Sequence, residues 1–366
     1  MKTESDWFRR IILPGLAFKA VVIGGGYATG RELVTFFLGS GPLGGLYGLV
    51  LAMLIWSCIC AVTFSFAHQT NSYDYRSFFK KLLGPLWPLF EAAYFLALMV
   101  TLAVFAAAAG EIGSALFNWP TLLGALLLMG SITMFAMFGN DSVEHLFKYV
   151  SYFLYVTYAV FIVLSVSSFG HQIAMAFEGQ PSTDGWALGG MTYAGYNVVG
   201  AVTILPIIRH MRSKKDAVQA GLIAGPLAMV PAILFFIAMV AFYPEIGNER
   251  LPSDFLLDRL NMPVFRYIFQ AMIFAALLES GVGGVHAINE RIAKSYHEKT
   301  TRDLSKFARL GITLTVLVLS IFVAGHFGLV ALIAQGYSFL AYVFLAIFLA
   351  PLVTVGLWRV LHPEAD

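Results

Sequence analysis

Ten apolar stretches, each close to or beyond the roughly 20 residues that an α-helix needs to cross a bilayer, occupy most of this 366-residue chain. They are 11–38, 42–67, 86–117, 120–138, 146–169, 185–208, 217–242, 263–293, 306–326 and 328–359. Lipid offers no partner to an open backbone N–H or C=O, so such a chain is expected to fold as a bundle of helices. Composition agrees. The chain is 59% hydrophobic and 12% charged, and its apolar residues run on continuously rather than in stripes. The expected fold class is an all-α polytopic membrane protein with ten transmembrane helices, forming one transmembrane domain over 1–366 in contact with the lipid bilayer.

The loops set the orientation. Lys2, Arg9 and Arg10 precede the first stretch, Arg76, Lys80 and Lys81 follow the second, and Lys148 follows the fourth. Arg209, Arg212, Lys214 and Lys215 follow the sixth, and Arg291, Lys294, Lys299, Arg302, Lys306 and Arg309 follow the eighth. On the other side, Arg250, Arg259 and Arg266 are interleaved with Glu245, Glu249, Asp254 and Asp258. The positive-inside rule therefore predicts that both termini are cytoplasmic, and an even number of spans agrees. The polar start carries no small-residue cleavage site, so a removable signal peptide is not expected.

Several function classes drop out. Topology accounts for the basic residues, so no nucleic-acid partner is expected. Cys58 and Cys60 diverge around one apolar helix and suit neither a disulfide nor a metal. His68, His145, His210 and His326 lie near segment ends without metal-ligand spacing, and no phosphate loop or nucleophile elbow occurs. Neither an enzyme nor a resident cofactor is predicted.

One stretch departs from what lipid favours. Gly24-Gly25-Gly26-Tyr27-Ala28-Thr29-Gly30-Arg31-Glu32 lies inside the first apolar segment. Glycine weakens a helix, and a charge at bilayer depth costs about 3 kcal/mol. The segment reads as a broken helix lining a cavity. Five spans (11–169) are followed by the loop 171–184, which carries no lysine or arginine, and then by five more (185–359). Because five is odd, the second half enters from the opposite side, which makes an inverted repeat. Its first helix carries a matching stretch, Gly189-Gly190-Met191-Thr192-Tyr193-Ala194-Gly195-Tyr196-Asn197. Paired glycine-interrupted segments of this kind point to a midplane binding site.

The span order, the two broken helices, the amphipathic stretch 73–81 and the outer stretch 252–261 resemble a LeuT-fold transporter of the amino acid-polyamine-organocation superfamily. Within it, Gly24 to Leu33 with Phe36, Phe37 and Gly39 resembles the bacterial YkvI-like membrane proteins. That family has Phe, Ser and Gln where this chain has Tyr27, Thr29 and Arg31, and the last change exchanges a neutral hydrogen-bonding group for a fixed charge. The resemblance implies a bacterial cytoplasmic (inner) membrane protein with a LeuT-like 5+5 inverted repeat and broken first and sixth helices.

Unwound backbone frees carbonyls and N–H groups to grip substrate and a cation. The candidate substrate site is Gly24, Gly25, Gly26, Tyr27, Thr29 and Gly30 with Tyr193, Tyr196 and Asn197. For Gly189 and Gly190, close helix packing is an equal alternative. Arg31 and Glu32 lie about 100° apart on a helix. Each is expected to seek a partner across the cavity, with Glu111 at matching depth; the other option for Arg31 is the outer interface.

Glu279 sits near the middle of the eighth segment, with Gly283, His286 and Glu290 at helical spacing. Ala276-Leu277-Leu278-Glu279-Ser280 resembles the Ala-x-x-Thr-Ser pattern that completes a sodium site against the first helix in sodium-coupled LeuT-fold carriers. That resemblance assigns Ile23, Ala276, Glu279 and Ser280 to ion coupling, by sodium or a proton. Glu279 has three further options: proton carriage, neutralising a cationic substrate, and a structural hydrogen bond. Arg31, Glu32, Glu111 and His286 form the expected gating or charge network. The predicted function is ion-coupled secondary transport of a small polar solute, an amino acid or amine. A receptor or channel using the same cavity is the alternative.

Overall fold

The computed structural model of the chain describes residues 6–22, 25–138, 140–179 and 182–362, and at 25–26, 136–138, 140–149 and 151 the backbone alone. Every regular element among them is helical. The first apolar segment divides into α1 (Leu13–Val22), α2 (Gly25–Ala28) and α3 (Arg31–Phe36). Then come α4 (Gly41–Gln69), α5 (Tyr75–Leu83), α6 (Trp87–Phe117), α7 (Thr121–Phe138) and α8 (Asn140–Glu178). The sixth apolar segment is α9 (Trp186–Asn197), α10 (Val199–Thr203) and α11 (Leu205–Ile208). It is followed by α12 (Lys214–Val240), α13 (Pro252–Arg259), α14 (Pro263–Thr300) and α15 (Lys306–Ala331). A run of π-helical and α-helical turns that includes α16 (Ser338–Phe344) and α17 (Leu357–Leu361) ends the chain.

Among the described residues six helices are long and apolar enough to cross a membrane by length and composition. One of them, Lys306–Leu361, is a 56-residue run that bends at Gly328, whose φ of 73° and ψ of 168° are non-helical. The bend falls at the first residue of the expected tenth segment. Outward-facing residues are apolar along α8 and α15, as Val156, Val163, Val318 and Phe322 show. Such faces suit lipid rather than water.

Small residues hold the bundle together where hydrophobic burial gains nothing against lipid. Gly221 and Gly225 of α12 lie one turn apart against α4. A Cβ on Gly221 would come within 2.2 Å of Ala61 N, and one on Gly225 within 2.4 Å of Met53 O. Backbones that close need glycine on at least one side. Ser57 Oγ donates to Leu222 O at 2.9 Å across the same seam.

The amphipathic helix foreseen at 73–81 is α5. Asp74 caps it, accepting from the Ser77 N–H at 3.0 Å. Its face of Phe78, Phe79 and Leu82 is buried, and Phe79 stacks on Phe90 with centroids 3.5 Å apart. Each buried phenylalanine contributes about 1.5–3 kcal/mol. Arg76, Lys80 and Lys81 take the other side. The outer stretch foreseen at 252–261 is α13, whose first turn is buried against the bundle.

Candidate functional site

The helix breaks place the site. After α2 the chain turns at Thr29 and Gly30, and Gly30 sits at φ 79°. A Cβ there would lie 3.0 Å from the Phe235 ring and 3.2 Å from Pro252 Cβ. Left-handed backbone and crowding both demand glycine. Thr29 O accepts the Ser253 N–H at 3.0 Å, so part of the freed backbone of this break is taken by α13.

α3 then carries two charged residues in different directions, as their 100° separation allows. Arg31 Nη1 donates to Gly247 O at 3.1 Å and Glu249 O at 2.8 Å, and its Nε donates to Thr35 Oγ1 at 3.3 Å. The expected pairing of Arg31 with Glu111 is therefore corrected: Arg31 is held by loop carbonyls instead. The carbonyls of the loop after α12 fold over it and leave it 8% exposed. Glu111 takes Arg250 instead, at 3.1 Å. Glu32 turns inward and accepts the Tyr196 hydroxyl at 2.6 Å.

The second break is displaced from where the glycines suggested. α9 runs unbroken through Gly189, Gly190 and Gly195 to Asn197, and the chain turns only at Val198 and Ile204, where i→i−3 bonds replace the helical ladder. Gly189 and Gly190 serve packing. A Cβ on the first would fall 1.9 Å from Phe36 O, and on the second 2.6 Å from Gly48 O. Tyr193 is fully buried among Phe36, Phe37 and Trp56, with centroids 4.9–5.9 Å away. Trp56 Nε1 donates to Ala194 O at 3.2 Å. Asn197 Nδ2 donates to Tyr193 O at 3.1 Å.

Between the breaks lies a cavity of about 470 Å³. Of the residues predicted from sequence, Glu32, Tyr196, Asn197, Ala276, Glu279 and Ser280 line it. Tyr27, Thr29 and Gly30 do not; the first two are 1% and 0% exposed, and Gly30 packs against Phe235 and Pro252. Tyr193 and Arg31 are also outside its wall. Ile23 and Gly24 lie outside the described residues, and Gly25 and Gly26 are described only as backbone of α2. Along α14 the lining arc is Ala276, Glu279, Ser280, Gly283, Gly284 and Ala287. That arc centres beyond Glu279 towards Ser280 and Gly283, which leaves His286 on an exposed face rather than in a relay. Glu290 pairs with Arg309, and Asn289 Nδ2 donates to Thr313 Oγ1 at 2.8 Å.

Tyr94, Tyr155, Thr101 and Tyr337 also line the cavity and were missed by sequence reasoning. Tyr337 stacks on Tyr196 with centroids 4.4 Å apart. A single tyrosine in an apolar helix carries no signal of its own, and only the pairing of distant helices puts these four on one wall.

The two ends of the cavity differ. On the side of α13, Arg266 grips Asp254 with bonds of 2.7 and 2.6 Å, and Gln270 Nε2 donates to Asp254 Oδ1 at 2.9 Å. Together with Arg31, these contacts tie the loop and α13 across α3 and α14. The lining extends the other way, along α14 to Ala287 and along α6 to Tyr94, towards the ends rich in Lys and Arg. There Arg291 lies between the rings of Tyr75 and Tyr94, 3.9 and 3.8 Å from their centroids. Among the described residues no group of three or more His, Cys, Asp or Glu is placed to hold a metal ion.

Comparison with known proteins extends the picture. No family model matches the chain. A relative in Bacillus subtilis (strain 168), the uncharacterized membrane protein YkvI, is 23% identical over 343 residues, covering 90% of this chain and 92% of that one. Among solved structures, MhsT in complex with L-phenylalanine superposes with a TM-score of 0.57 at 17% identity, covering 98% of this chain and 97% of that one. The inward-facing conformation of Mhp1 gives 0.59 at 17% identity, covering 97% and 77%. A manganese transporter of Eremococcus coleocola gives 0.56 at 19% identity, covering 96% and 80%. The chain has the LeuT-type fold that these transporters share.

Proposed function

We propose that this chain is an ion-coupled secondary active transporter of a small polar solute, an amino acid or amine, working by alternating access from a bacterial cytoplasmic membrane. The observation that carries the reading is the cavity between the two interrupted segments, tied shut by Arg31 and α13 at one end and continuing towards the basic ends of α6 and α14 at the other. Ten spans in a 5+5 inverted repeat, over 11–169 and 185–359, account for the interruptions at corresponding places. The charge pattern of the loops supports cytoplasmic termini. With that orientation the molecule faces inward. Membership of the YkvI-like proteins is supported by the motif Gly24 to Leu33 and by the full-length relative.

In this reading Glu32, Tyr196 and Asn197 contact substrate, and Gly24, Gly25 and Gly26 add polar contacts. Ala276, Glu279 and Ser280, with Ile23 as the counterpart that the resemblance assigns, hold sodium or a proton. Tyr27, Thr29, Gly30 and Tyr193 support the site from behind, and Arg31 serves as the outer latch.

The test is uptake into proteoliposomes under an imposed sodium or pH gradient. Accumulation above equilibrium is expected for a ligand that stabilises the purified protein. Flux that only equilibrates would identify a channel, and binding without flux a receptor.

A further inference from the structure

Glu32 is only 5% exposed, yet its carboxyl lines the cavity. The hydrogen bond it accepts comes from a neutral group, the Tyr196 hydroxyl at 2.6 Å. The adjacent cation is engaged elsewhere, because the Arg31 guanidinium binds Gly247 O, Glu249 O and Thr35 Oγ1. The elements in closest contact with α3 are α2, α9 and the turns 38–40, 245–248 and 332–337. Their titratable groups are Tyr27, Tyr193, Tyr196, Glu245 and Tyr337, and Glu245 is an exposed residue paired with Arg259 at 2.9 Å. In the loop after α12, Arg250 pairs with Glu111 at 3.1 Å. The rest of the cavity wall adds Tyr94, Tyr155 and Glu279, and no Lys, Arg or His among the described residues.

The helix that carries Glu32 is short and bounded by turns. α3 spans six residues, Arg31–Phe36, between Gly30 at φ 79° and the turn 38–40, which lets it move as a unit. Arg31 holds the loop after α12 from one side of it, and Glu32 faces the cavity from another. We propose that Glu32 binds a coupling proton, and that release of the Arg31 clamp and transfer of Glu32 from one side of the membrane to the other are a single movement of α3. One neutral hydroxyl cannot replace the hydration of a carboxylate, so charge on Glu32 depends on water reaching it through the cavity. As the cavity closes, a proton from its water forms an O–H bond on the Glu32 oxygen that does not accept from Tyr196, and the neutral acid is enclosed without a counter-ion. When α3 turns to the other side, the acid returns that proton to water there and the carboxylate re-forms. Each step moves one proton between water and Glu32 and leaves every other group as it was.

The proposal rests on the transport reading for the change of sides; proton binding at Glu32 stands apart from it. The test is pH-difference infrared spectroscopy on the full chain reconstituted in lipid, with the proton as the only ligand. On acidification the wild type is expected to gain a protonated-carboxyl C=O band that Glu32→Gln loses and Glu279→Gln retains. Tyr196→Phe keeps the carboxyl and removes its donor, so it should shift that band to higher frequency. A Glu32→Gln difference spectrum identical to the wild type overturns the proposal. If Glu32→Gln folds poorly, Tyr196→Phe decides by itself, and a spectrum that it leaves unmoved overturns the proposal as well. A Glu32 band without gradient-driven uptake in proteoliposomes would sink the transport reading and keep the proton site; sodium-driven uptake without a Glu32 band would do the reverse.

Discussion

Arg31 and Glu32 show how much one residue's step along a helix decides. The guanidinium forms a three-point clamp on two loop carbonyls and a threonine, while its neighbour accepts a tyrosine hydroxyl in the cavity. Lysine cannot reproduce that fork. Arg31→Lys and Arg31→Ala should therefore both loosen the end of the cavity beside α13, leaving buried carbonyls unpaired at about 1–3 kcal/mol each. The loss can be read at Ser253, which is fully buried beneath the clamp. In a Cys58→Ser background, Ser253→Cys should react with an impermeant maleimide about tenfold faster once Arg31 is replaced by alanine. Unchanged labelling would remove Arg31 from the latch. At Glu32, Tyr196→Phe deletes the hydrogen bond and keeps the charge, so it should lower the melting temperature. Glu32→Gln keeps an acceptor and should be tolerated better.

At the scale of single elements, the turn before α3 and the cap of α5 carry separable expectations. Gly30→Ala meets both a positive φ and the Phe235 ring. It should destabilise by about 1–3 kcal/mol, seen as a lower melting temperature in detergent. Asp74 lies in the loop before α5. Partial burial pushes its carboxyl up, but the Ser77 hydroxyl and N–H, the Arg76 N–H and the Lys294 charge outweigh this and hold it below the usual range. A depressed carboxyl stabilises the fold above the unfolded value near 3.9 and loses that contribution as pH falls through the folded value. Asp74→Ala should therefore cost about 1 kcal/mol at neutral pH, and the deficit should shrink in acid. A deficit that stays constant down to pH 3 would mean that the cap does not depend on its charge.

For the whole molecule, the two ends of the cavity make opposite predictions about access. Ala287→Cys, at the end towards the basic loops, should be labelled from the cytoplasmic face of inverted vesicles, while Ser253→Cys should resist reagent added outside. The reverse pattern would overturn the inward-facing assignment.

The apolar runs and the break at Gly30 were legible in the sequence because membrane spanning and helix breaking are local properties, whereas the stripe expected from Glu279 to Glu290 meets the cavity only at Glu279 and Gly283. Length, glycine content and charge within about ten residues are enough to reveal them. The amphipathic α5 and the short α13 were readable for the same reason. Partnership was not. Nothing near Arg31 in the chain says that a loop more than two hundred residues away will supply its carbonyls, or that Glu111 will be taken by Arg250. Nor did the glycines of α9 reveal that they serve close packing while the helix gives way three to nine residues later. By itself the sequence determined where the chain is apolar, where it cannot stay helical and which charges enter the bilayer. Tertiary structure decided which of those charges face the cavity, because that depends on the rotation and contact of helices distant in the chain. By turning Arg31 out and bringing three unremarked tyrosines, Tyr94, Tyr155 and Tyr337, in, it set the makeup of the cavity wall.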